Sequence, residues 1–392
     1  MTPGARIGAA IGILDAVLAG APAEKALTNW GRRSRFAGSG DRHAVRDLVF
    51  DALRRRRSLA RLGGTDSGRG LMLGRLRAAG MPAAGLFTGA GHAPAPPTPA
   101  EAAALAAPVR LGPPEALDCP DWLWPRLRAS LGPDAGPVLA ALRERAPLHL
   151  RVNLLRGDRD AAARALAAEG VETRPHPLAA TALEVLSNPR KVQTTRAWLD
   201  GLVEVQDAAS QAVVAALPMP RGRVLDFCAG GGGKTLALAA RGPARFFAHD
   251  ASPARMRDLP ARAARAGVAV ECLAPEAVAG RFELVLADVP CSGSGAWRRG
   301  PEAKWTLDAG ALARLNATQD AILARCAGLV APGGALAYVT CSLLDDENSA
   351  RIDAFLAARP GWRAVTSRRL TPLDGGDGFF VAVLVPPNPM TT

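Results

Sequence analysis

The amino-terminal part of the chain repeats apolar positions at the spacing of a helix. In the opening stretch these positions are Ile7, Ile11, Leu14 and Leu18. Intervals of three or four residues predict an amphipathic helix. The small residues and early arginine of this stretch also resemble a secretory signal peptide, but Asp15 interrupts the apolar run. We therefore interpret it as a helix that packs into a domain.

The helical pattern continues to about residue 80. The segment DRHAVRDLVFDALRRRRSLARL, residues 41–62, places its arginines opposite an apolar face. That face carries Val45, Leu48, Val49, Ala52 and Leu53. A stretch rich in Gly, Pro and Ala, residues 89–104, is typical of a linker, and a short helix is expected over residues 119–132. We expect residues 1–130 to form a separate helical domain.

The pattern changes at residue 148, where two strand-like segments flank a helix. The segments LHLRVNLL and ALEVLS are rich in apolar residues, and the helix between them ends at Gly170. We expect residues 145–205 to form a small α+β unit. On its first strand, Arg151 and Asn153 alternate with apolar residues.

Beyond Gln206, short apolar strands alternate with helices. This rhythm predicts an α/β fold for residues 206–392, a Rossmann-like, doubly wound parallel sheet. Ligands of such sheets bind at the carboxyl ends of the strands. The polar and thiol residues expected there are Asp226, Cys228, Asp250, Asp288, Cys291 and Cys341.

The charge of the chain indicates a polyanionic partner. Its 392 residues carry 48 basic and 36 acidic side chains, a formal net charge of +12. Proteins that neutralise phosphates release counterions, so nucleic acid is the expected partner. An arginine-rich chain also follows from the base composition of a genome, but the arginines cluster, as in Arg54, Arg55, Arg56 and Arg57. In this setting Arg151 and Asn153 are either the polar face of an ordinary sheet or an RNA contact.

Composition narrows the remaining classes. With 48% hydrophobic residues the chain can bury more than one core. Its six cysteines are scattered without a CxxC pair, so we expect neither a disulfide framework nor a metal site. A reducing cytoplasm is the expected compartment. No segment has the ~18 to 20 consecutive apolar residues of a membrane span, and we expect a monomer.

The glycine turn in DFCAGGGGKT, residues 226–235, excludes two phosphate-binding patterns. A P-loop requires glycine at Cys228, and the dinucleotide fingerprint requires glycine at Thr235. A glycine turn after the first strand, with Asp250 ending the second, still suits the ribose of a nucleoside. S-adenosylmethionine is a nucleoside without phosphates. The alternative is a tight structural turn that binds no ligand.

Two cysteines follow strand-like segments in LADVPCSGSG and LAYVTCSLLDDEN. Cytosine C5 is too weak a nucleophile to take a methyl group from a sulfonium, unless a thiolate first adds at C6. After methylation the C5 proton must leave and the thiol must be expelled. Two cysteines facing one pocket, Cys291 and Cys341, answer both needs. We expect Cys272 and Cys326 to be small core residues instead.

These motifs, together with VEVQDAASQ and DGFFVAVL, resemble those of the Nop/Sun-type RNA 5-methylcytosine methyltransferases. The bacterial RsmB (Sun) branch fits best over most of the chain. The resemblance implies an S-adenosylmethionine-dependent enzyme that acts on small-subunit (16S) ribosomal RNA. It also implies that the N-terminal helices form a NusB-like RNA-binding domain.

The resemblance also implies a role for each site residue. Cys341 would be the nucleophile, Cys291 would serve product release, and Asp288 would contact the base edge near the methyl donor. Asp250 would hold the cofactor ribose. The residues that would line the cofactor are Cys228, Ala229, Gly230, Gly231, Gly232, Gly233 and Lys234.

The loop after the Pro-Cys motif carries Arg298 and Lys304, which would either bind RNA or order the site. The chain departs from the family at two places. Gly231 stands where the family has proline, and Ala274, Pro275 and Glu276 replace the segment in which an aspartate contacts adenine.

Two other functions remain open. A non-catalytic RNA-binding or ribosome-assembly factor would need neither the cysteines nor Asp288 and Lys234. Methylation of a protein or small molecule at nitrogen or oxygen would need no cysteine pair.

Overall fold

The computed structural model describes residues 1–219 and 221–387. The chain forms two compact units. Unit 1 comprises Met1–Arg145 and Trp297–Thr306, and unit 2 comprises Ala146–Ala296 and Leu307–Thr392.

The helices are α1 (Pro3–Leu18), α2 (Ala23–Arg33), α3 (Ser39–Arg54), α4 (Arg56–Gly63), α5 (Gly68–Ala78), α6 (Pro99–Ala106), α7 (Pro113–Ala116), α8 (Trp124–Leu131), α9 (Ala135–Leu142), α10 (Arg159–Ala168), α11 (Arg196–Leu199), α12 (Ala208–Ala215), α13 (Gly233–Ala239), α14 (Leu259–Ala266), α15 (Glu302–Thr306), α16 (Ala309–Ala327) and α17 (Ser349–Ala358). The strands are β1 (His149–Val152), β2 (Thr173–Pro175), β3 (Ala182–Val185), β4 (Val203–Val205), β5 (Arg223–Asp226), β6 (Arg245–His249), β7 (Val270–Leu273), β8 (Phe282–Asp288), β9 (Val330–Thr340), β10 (Arg363–Leu370) and β11 (Phe379–Val385).

The opening helix packs into unit 1, which confirms the sequence interpretation. Ile7 and Leu14 on α1 are buried in a cluster with side chains of α3 and α5. Asp15, the residue that interrupts the apolar run, accepts a 2.7 Å hydrogen bond from the backbone N–H of Gly68. Since Gly68 is the first residue of α5, this polar residue ties one helix to the start of another.

Each of the clustered arginines has a partner within unit 1. Arg55 pairs with Asp51 on its own side of α3, Arg56 with Asp66, and Arg57 with Asp121. Arg54 is buried and donates to the carbonyl of Arg298 at 3.3 Å. These four side chains therefore stabilise the helical unit. Arg32, Arg33 and Arg35, at the end of α2, are the exposed members of the same basic region.

The segment Trp297–Thr306 belongs to unit 1, although its position in sequence had placed it in the catalytic domain. Lys304 is only 3% exposed and donates to the carbonyl of Arg54 at 3.1 Å. The indole of Trp305 donates to the carbonyl of Leu53 at 2.7 Å, and Glu302 accepts from the N–H of Ala23 at 2.7 Å. Helix termini that need partners thus hold this segment.

The burial of Arg298 and Lys304 corresponds to the ordering role, since neither side chain presents its charge to solvent. The sequence could not distinguish these alternatives because the partners lie about 250 residues away along the chain.

A four-stranded antiparallel sheet, in the order β2-β3-β1-β4, opens unit 2. All four residues of the central strand β1 are buried. Arg151 donates to Gln206 Oε1 at 2.6 Å and to the carbonyl of Gly233 at 2.7 Å. Asn153 donates to the carbonyls of Gly201 and Ala266. Both side chains connect the small sheet to the following fold, and their burial favours a structural role over an RNA contact.

The seven-stranded sheet confirms the doubly wound α/β prediction. Its order is β10-β11-β9-β8-β5-β6-β7, with β5 to β9 parallel and β11 antiparallel to both neighbours. Along β8, Leu284 and Leu286 enter one hydrophobic cluster while Val285 and Ala287 enter another. This period of two shows that both faces of the sheet are covered.

Two cysteines test the expectation of small core residues. Cys326 on α16 is fully buried, which confirms it. The expectation is wrong for Cys272, which is exposed. Cys272 lies on β7, and an edge strand has a neighbour on one side only, so its side chains are less covered.

Within the described residues, every helix falls short of the length or the apolar character that crossing a bilayer demands.

The buried Lys304 predicts a pH dependence of stability. Burial lowers its pKa from 10.5 to about 8. Between these values the unfolded chain binds more protons than the folded chain, so the free energy of unfolding rises with pH. Lys304→Met should remove up to about 1.4 kcal/mol per pH unit from that rise.

Urea unfolding of both proteins between pH 8 and 9 measures this difference. Above pH 9, Cys119 adds an opposite trend, because burial raises its pKa from 9.0 to about 12. Lys25→Met, at an exposed lysine of the same unit, is the control and should keep the wild-type slope. Equal slopes for wild type and Lys304→Met would contradict the assignment.

Candidate active site

The carboxyl ends of β8 and β9 bring two thiols together. The strands pair in parallel, with Asp288 opposite Val339, and each continues directly into a cysteine loop. The Sγ atoms of Cys291 and Cys341 lie 3.5 Å apart, and both side chains are partly accessible. The two strand-end cysteines predicted from sequence therefore face one site.

A buried ion pair lies beside the thiols. Lys234 Nζ contacts Asp288 Oδ2 at 2.6 Å. Burial disfavours the charged form of Lys234, but the charge of Asp288, their hydrogen bond and the negative charge of a Cys341 thiolate together raise its pKa. A protonated Lys234 thus faces both Asp288 and Cys341, and the sequence did not identify this cation.

The electrostatics of the two cysteines differ. The hydrogen bond with Cys341 and burial raise the pKa of Cys291 well above 9.0, and the negative charge of Glu347 contributes in the same direction. Cys291 is therefore the thiol that keeps its proton near neutral pH.

The glycine turn follows β5 and has two left-handed residues. Gly230 has a φ of +51° and Gly232 a φ of +76°. A Cβ atom on Gly232 would lie 2.1 Å from Leu259 Cδ1, so that position requires glycine for packing as well as for conformation. Gly231 has no positive φ, so the backbone where the resembling family has proline does not require glycine.

The donors and acceptors around the turn fit a nucleoside without phosphates. Asp250 is buried and is held by the N–H groups of Gly230 at 3.0 Å and Ser252 at 2.9 Å, with Arg255 at 3.2 Å. Its carboxylate can accept further bonds from ribose hydroxyls. Lys234, which would clamp a phosphate in a P-loop, is engaged by Asp288.

Other residues of the turn are buried. Thr235 donates to Asp226 at 2.6 Å, and burial raises the pKa of Asp226 to about 7. Burial also raises the pKa of Cys228, which therefore remains a thiol. Glu276, in the segment where an aspartate would contact adenine, is exposed.

One cluster in the small sheet has the composition of a metal site. Among residues 1–219 and 221–387, His149, His176 and Glu184 bring three potential ligand atoms within 4.8 Å of one another. Glu184, however, accepts two hydrogen bonds from Arg174, at 2.9 and 3.0 Å. An arginine that neutralises the carboxylate competes with a cation, so the absence of a resident metal stays a prediction.

The sequence reasoning missed Glu347. This residue is fully buried behind the cysteine loops and bonds to Ser292 and Ser342, the residues that follow the two cysteines. The available signal was the repeated Cys-Ser pair and the acidic run after the second one.

Comparisons with known proteins agree with this geometry. The family model of the 16S rRNA methyltransferase RsmB/F matches residues 213–385, and that of the RsmF/B-like ferredoxin-like domain matches residues 119–193. The ribosomal RNA small subunit methyltransferase B of Xylella fastidiosa strain 9a5c is 36% identical over 287 residues, which cover 68% of this chain and 68% of the relative. The chain belongs to the RsmB/F methyltransferase family.

Further relatives define the extent of the match. The protein of the same name from Xylella fastidiosa strain Temecula1 is 36% identical over 68% of this chain and 66% of its own length. The chain spans about two thirds of the length of these curated relatives. The crystal structure of a methyltransferase homologue from Pyrococcus horikoshii has a TM-score of 0.62 and 25% identity, and covers 70% of this chain and 99% of the other.

The electrostatic difference between the cysteines predicts their alkylation. Cys341→Ala removes the hydrogen bond that contributes most to the raised pKa of Cys291. The pKa of Cys291 should fall, and its alkylation by iodoacetamide at pH 8 should accelerate by about tenfold per unit. Peptide mass spectrometry measures the initial rate. Cys272, exposed on β7, is the internal control, and an unchanged Cys291 rate would refute the prediction.

Proposed function

We propose that this protein transfers a methyl group from S-adenosylmethionine to C5 of a cytosine in RNA, in small-subunit (16S) ribosomal RNA. The observation that carries the proposal is the pair of thiols, 3.5 Å apart, beside the Asp288–Lys234 ion pair. Membership of the RsmB/F family supports the reaction class.

The chemistry requires a nucleophile at C6. The Cys341 thiolate forms a bond to C6, and the electron pair of the C5–C6 double bond makes C5 an enamine carbon. Once C5 has received the methyl group, loss of its proton restores the double bond and breaks the bond between sulfur and C6. Cys291 lies close enough to assist this release.

The charges support this division of roles. Lys234 places a positive charge where it stabilises a Cys341 thiolate, whereas burial and the bond to Cys341 hold the proton on Cys291. Asp288, fixed by Lys234, would contact the edge of the base. Spacing in sequence could not rank the two cysteines, and this asymmetry ranks them in the same order as the family resemblance.

The turn from Cys228 to Lys234 and the carboxylate of Asp250 would hold S-adenosylmethionine, which supplies the methyl group. The uncharged turn and the buried acceptor suit a nucleoside. Asp250 would accept hydrogen bonds from the ribose.

The helical unit, which resembles NusB-like domains, would supply RNA affinity. Its exposed Arg32, Arg33 and Arg35 are better placed for phosphate contacts than Arg54 to Arg57, which have partners inside the unit. The base must leave its stack to reach the thiols, so a single-stranded or loop cytosine is the expected substrate. We further propose a monomer that acts in the cytoplasm.

Asp250→Ala should weaken binding of S-adenosylmethionine by about 1.5 to 3 kcal/mol, because it removes charge-assisted hydrogen bonds to the ribose. Titration calorimetry measures the change. Asp258→Ala, at an exposed aspartate eight positions on, is the control and should bind as wild type does. Tight binding of ATP at this turn would refute the cofactor assignment.

Substitution of the cysteines separates catalysis from a non-catalytic RNA-binding role. Cys291→Ala should still attack and methylate, then stall with RNA covalently attached. Cys341→Ala should bind RNA and lose methylation without forming an adduct. Denaturing gel electrophoresis with labelled RNA detects the adduct as a slowly migrating band.

Cys272→Ala, on the edge strand β7, is the control for loss of a thiol and should methylate normally. An adduct on Cys341→Ala but not on Cys291→Ala would reverse the two roles. Binding of RNA without adduct or methylation in the wild type would indicate a ribosome-assembly factor instead.

A further inference from the structure

A single buried carboxylate connects the two cysteine loops. Glu347 is 0% exposed and lies in the 3-10 turn Asp345–Glu347, six residues after Cys341. Its Oε2 atom accepts hydrogen bonds of 2.5 Å from the hydroxyls of both Ser292 and Ser342. Since these serines directly follow the two cysteines, one oxygen atom joins both loops.

The second carboxylate oxygen holds the Cys291 loop from its other side. Oε1 accepts from the backbone N–H of Ser292 at 2.8 Å and from the Gln319 side chain at 3.0 Å. The same Gln319 amide donates to the carbonyl of Pro290 at 3.0 Å. The residues on either side of Cys291 are thus attached, directly or through Gln319, to Glu347.

A third serine reinforces the connection. The Ser294 hydroxyl lies 3.1 Å from that of Ser342 and accepts from the N–H of Leu343 at 2.8 Å. The hydroxyl of Tyr338 donates to the backbone carbonyl of Glu347 at 2.6 Å and fixes the turn itself. The carboxylate therefore has a rigid base from which to hold the loops.

The four partners of the Glu347 carboxylate are neutral donors: two hydroxyls, one amide and one backbone N–H. Burying a carboxylate among neutral groups is costly unless its acceptor sites are filled. Apolar side chains of similar volume would fill the same space without that cost. What they could not do is connect two loops through one atom.

We propose that Glu347 is a positioning residue that sets the distance between the thiols of Cys291 and Cys341. The proposal deepens the proposed function and rests on it for its catalytic consequence, since both thiols must reach one base. The spacing itself is a property of the folded protein, and it can be measured without methylation.

Phenylarsine oxide measures the spacing directly. Trivalent arsenic condenses with two adjacent thiols, so that two S–As bonds form, the two thiol protons and the arsenic-bound oxygen leave as water, and arsenic stays trivalent. Intact-mass spectrometry after a wash with excess monothiol counts the retained dithiol adducts. Cys291→Ala defines the background from the other four cysteines.

Three variants test the role of the carboxylate. Glu347→Ala removes all four bonds to the loops. In Glu347→Gln the amide oxygen still accepts from Ser292 N–H and Gln319, and the amide hydrogens can be donated to the serine hydroxyls. Tyr338→Phe is the matched control, because it deletes one buried hydrogen bond to the backbone of Glu347 and leaves the carboxylate in place.

We expect capture by Glu347→Ala to fall by about tenfold or more, because thiols that are no longer held side by side lose their effective concentration. Glu347→Gln and Tyr338→Phe should capture the arsenical as wild type does. Capture by Glu347→Ala at the wild-type rate would overturn the proposal. Equal loss in Glu347→Ala and Tyr338→Phe would also overturn it, since general loosening would then suffice.

If Glu347→Ala does not fold, Ser342→Ala replaces it, because this variant detaches only the Cys341 loop. Partial loss of capture supports the proposal, and wild-type capture contradicts it.

Steady-state methylation then tests the consequence. Glu347→Ala should lower kcat while KM for RNA stays near its wild-type value, and Glu347→Gln should restore kcat. Loss of dithiol capture with no methylation by the wild type would leave the positioning role standing and refute the proposed function. Normal capture with impaired kcat would refute the positioning role alone.

Discussion

Because β8 pairs in parallel with β9, the loops that carry Cys291 and Cys341 begin at the same edge of the sheet. Every other feature of the site depends on this pairing. It places Asp288 one turn from both thiols and lets a lysine from the glycine turn of β5 reach the same point. The order of the strands also puts β5, where the chain reverses direction across the sheet, beside β8, and such a reversal is where open α/β sheets bind ligands.

Strand pairing alone leaves the loops free, and buried polar groups complete the geometry. Lys234 and Asp288 neutralise each other, and Glu347 takes four neutral donors. Each arrangement is costly if one partner is removed, because the remaining group is buried without compensation. The polar groups therefore contribute a single geometry more than they contribute net stability, and a reaction that adds and then expels one thiol requires such a geometry.

Elements with a regular period could be predicted from sequence, and long-range polar partners could not. The alternation of apolar residues predicted the strand ends, and with them Asp250, Asp288, Cys291 and Cys341 at one edge of the sheet. Arg151 and Lys304 looked like surface cations because nothing local marks a buried arginine or lysine. Their partners, the carbonyls of Gly233 and Arg54, lie 82 and 250 residues away. Glu347 escaped notice for the opposite reason, since acidic residues in a loop are ordinarily solvated.

The chain leaves unit 2 after Ala296, five residues beyond Cys291, and returns at Leu307. The segment between them completes unit 1, where Glu302, Lys304 and Trp305 bond to backbone groups of residues 23, 54 and 53. Deleting the N-terminal helices would therefore expose a buried lysine and an indole next to the Pro-Cys loop, and it would impair the site for reasons unrelated to RNA. The contribution of the helical unit to RNA affinity has to be measured by neutralising exposed arginines in the intact chain. A binding protein with a removable RNA domain would have no need for such a connection, whereas an enzyme that must align its cysteine loop with a bound RNA would.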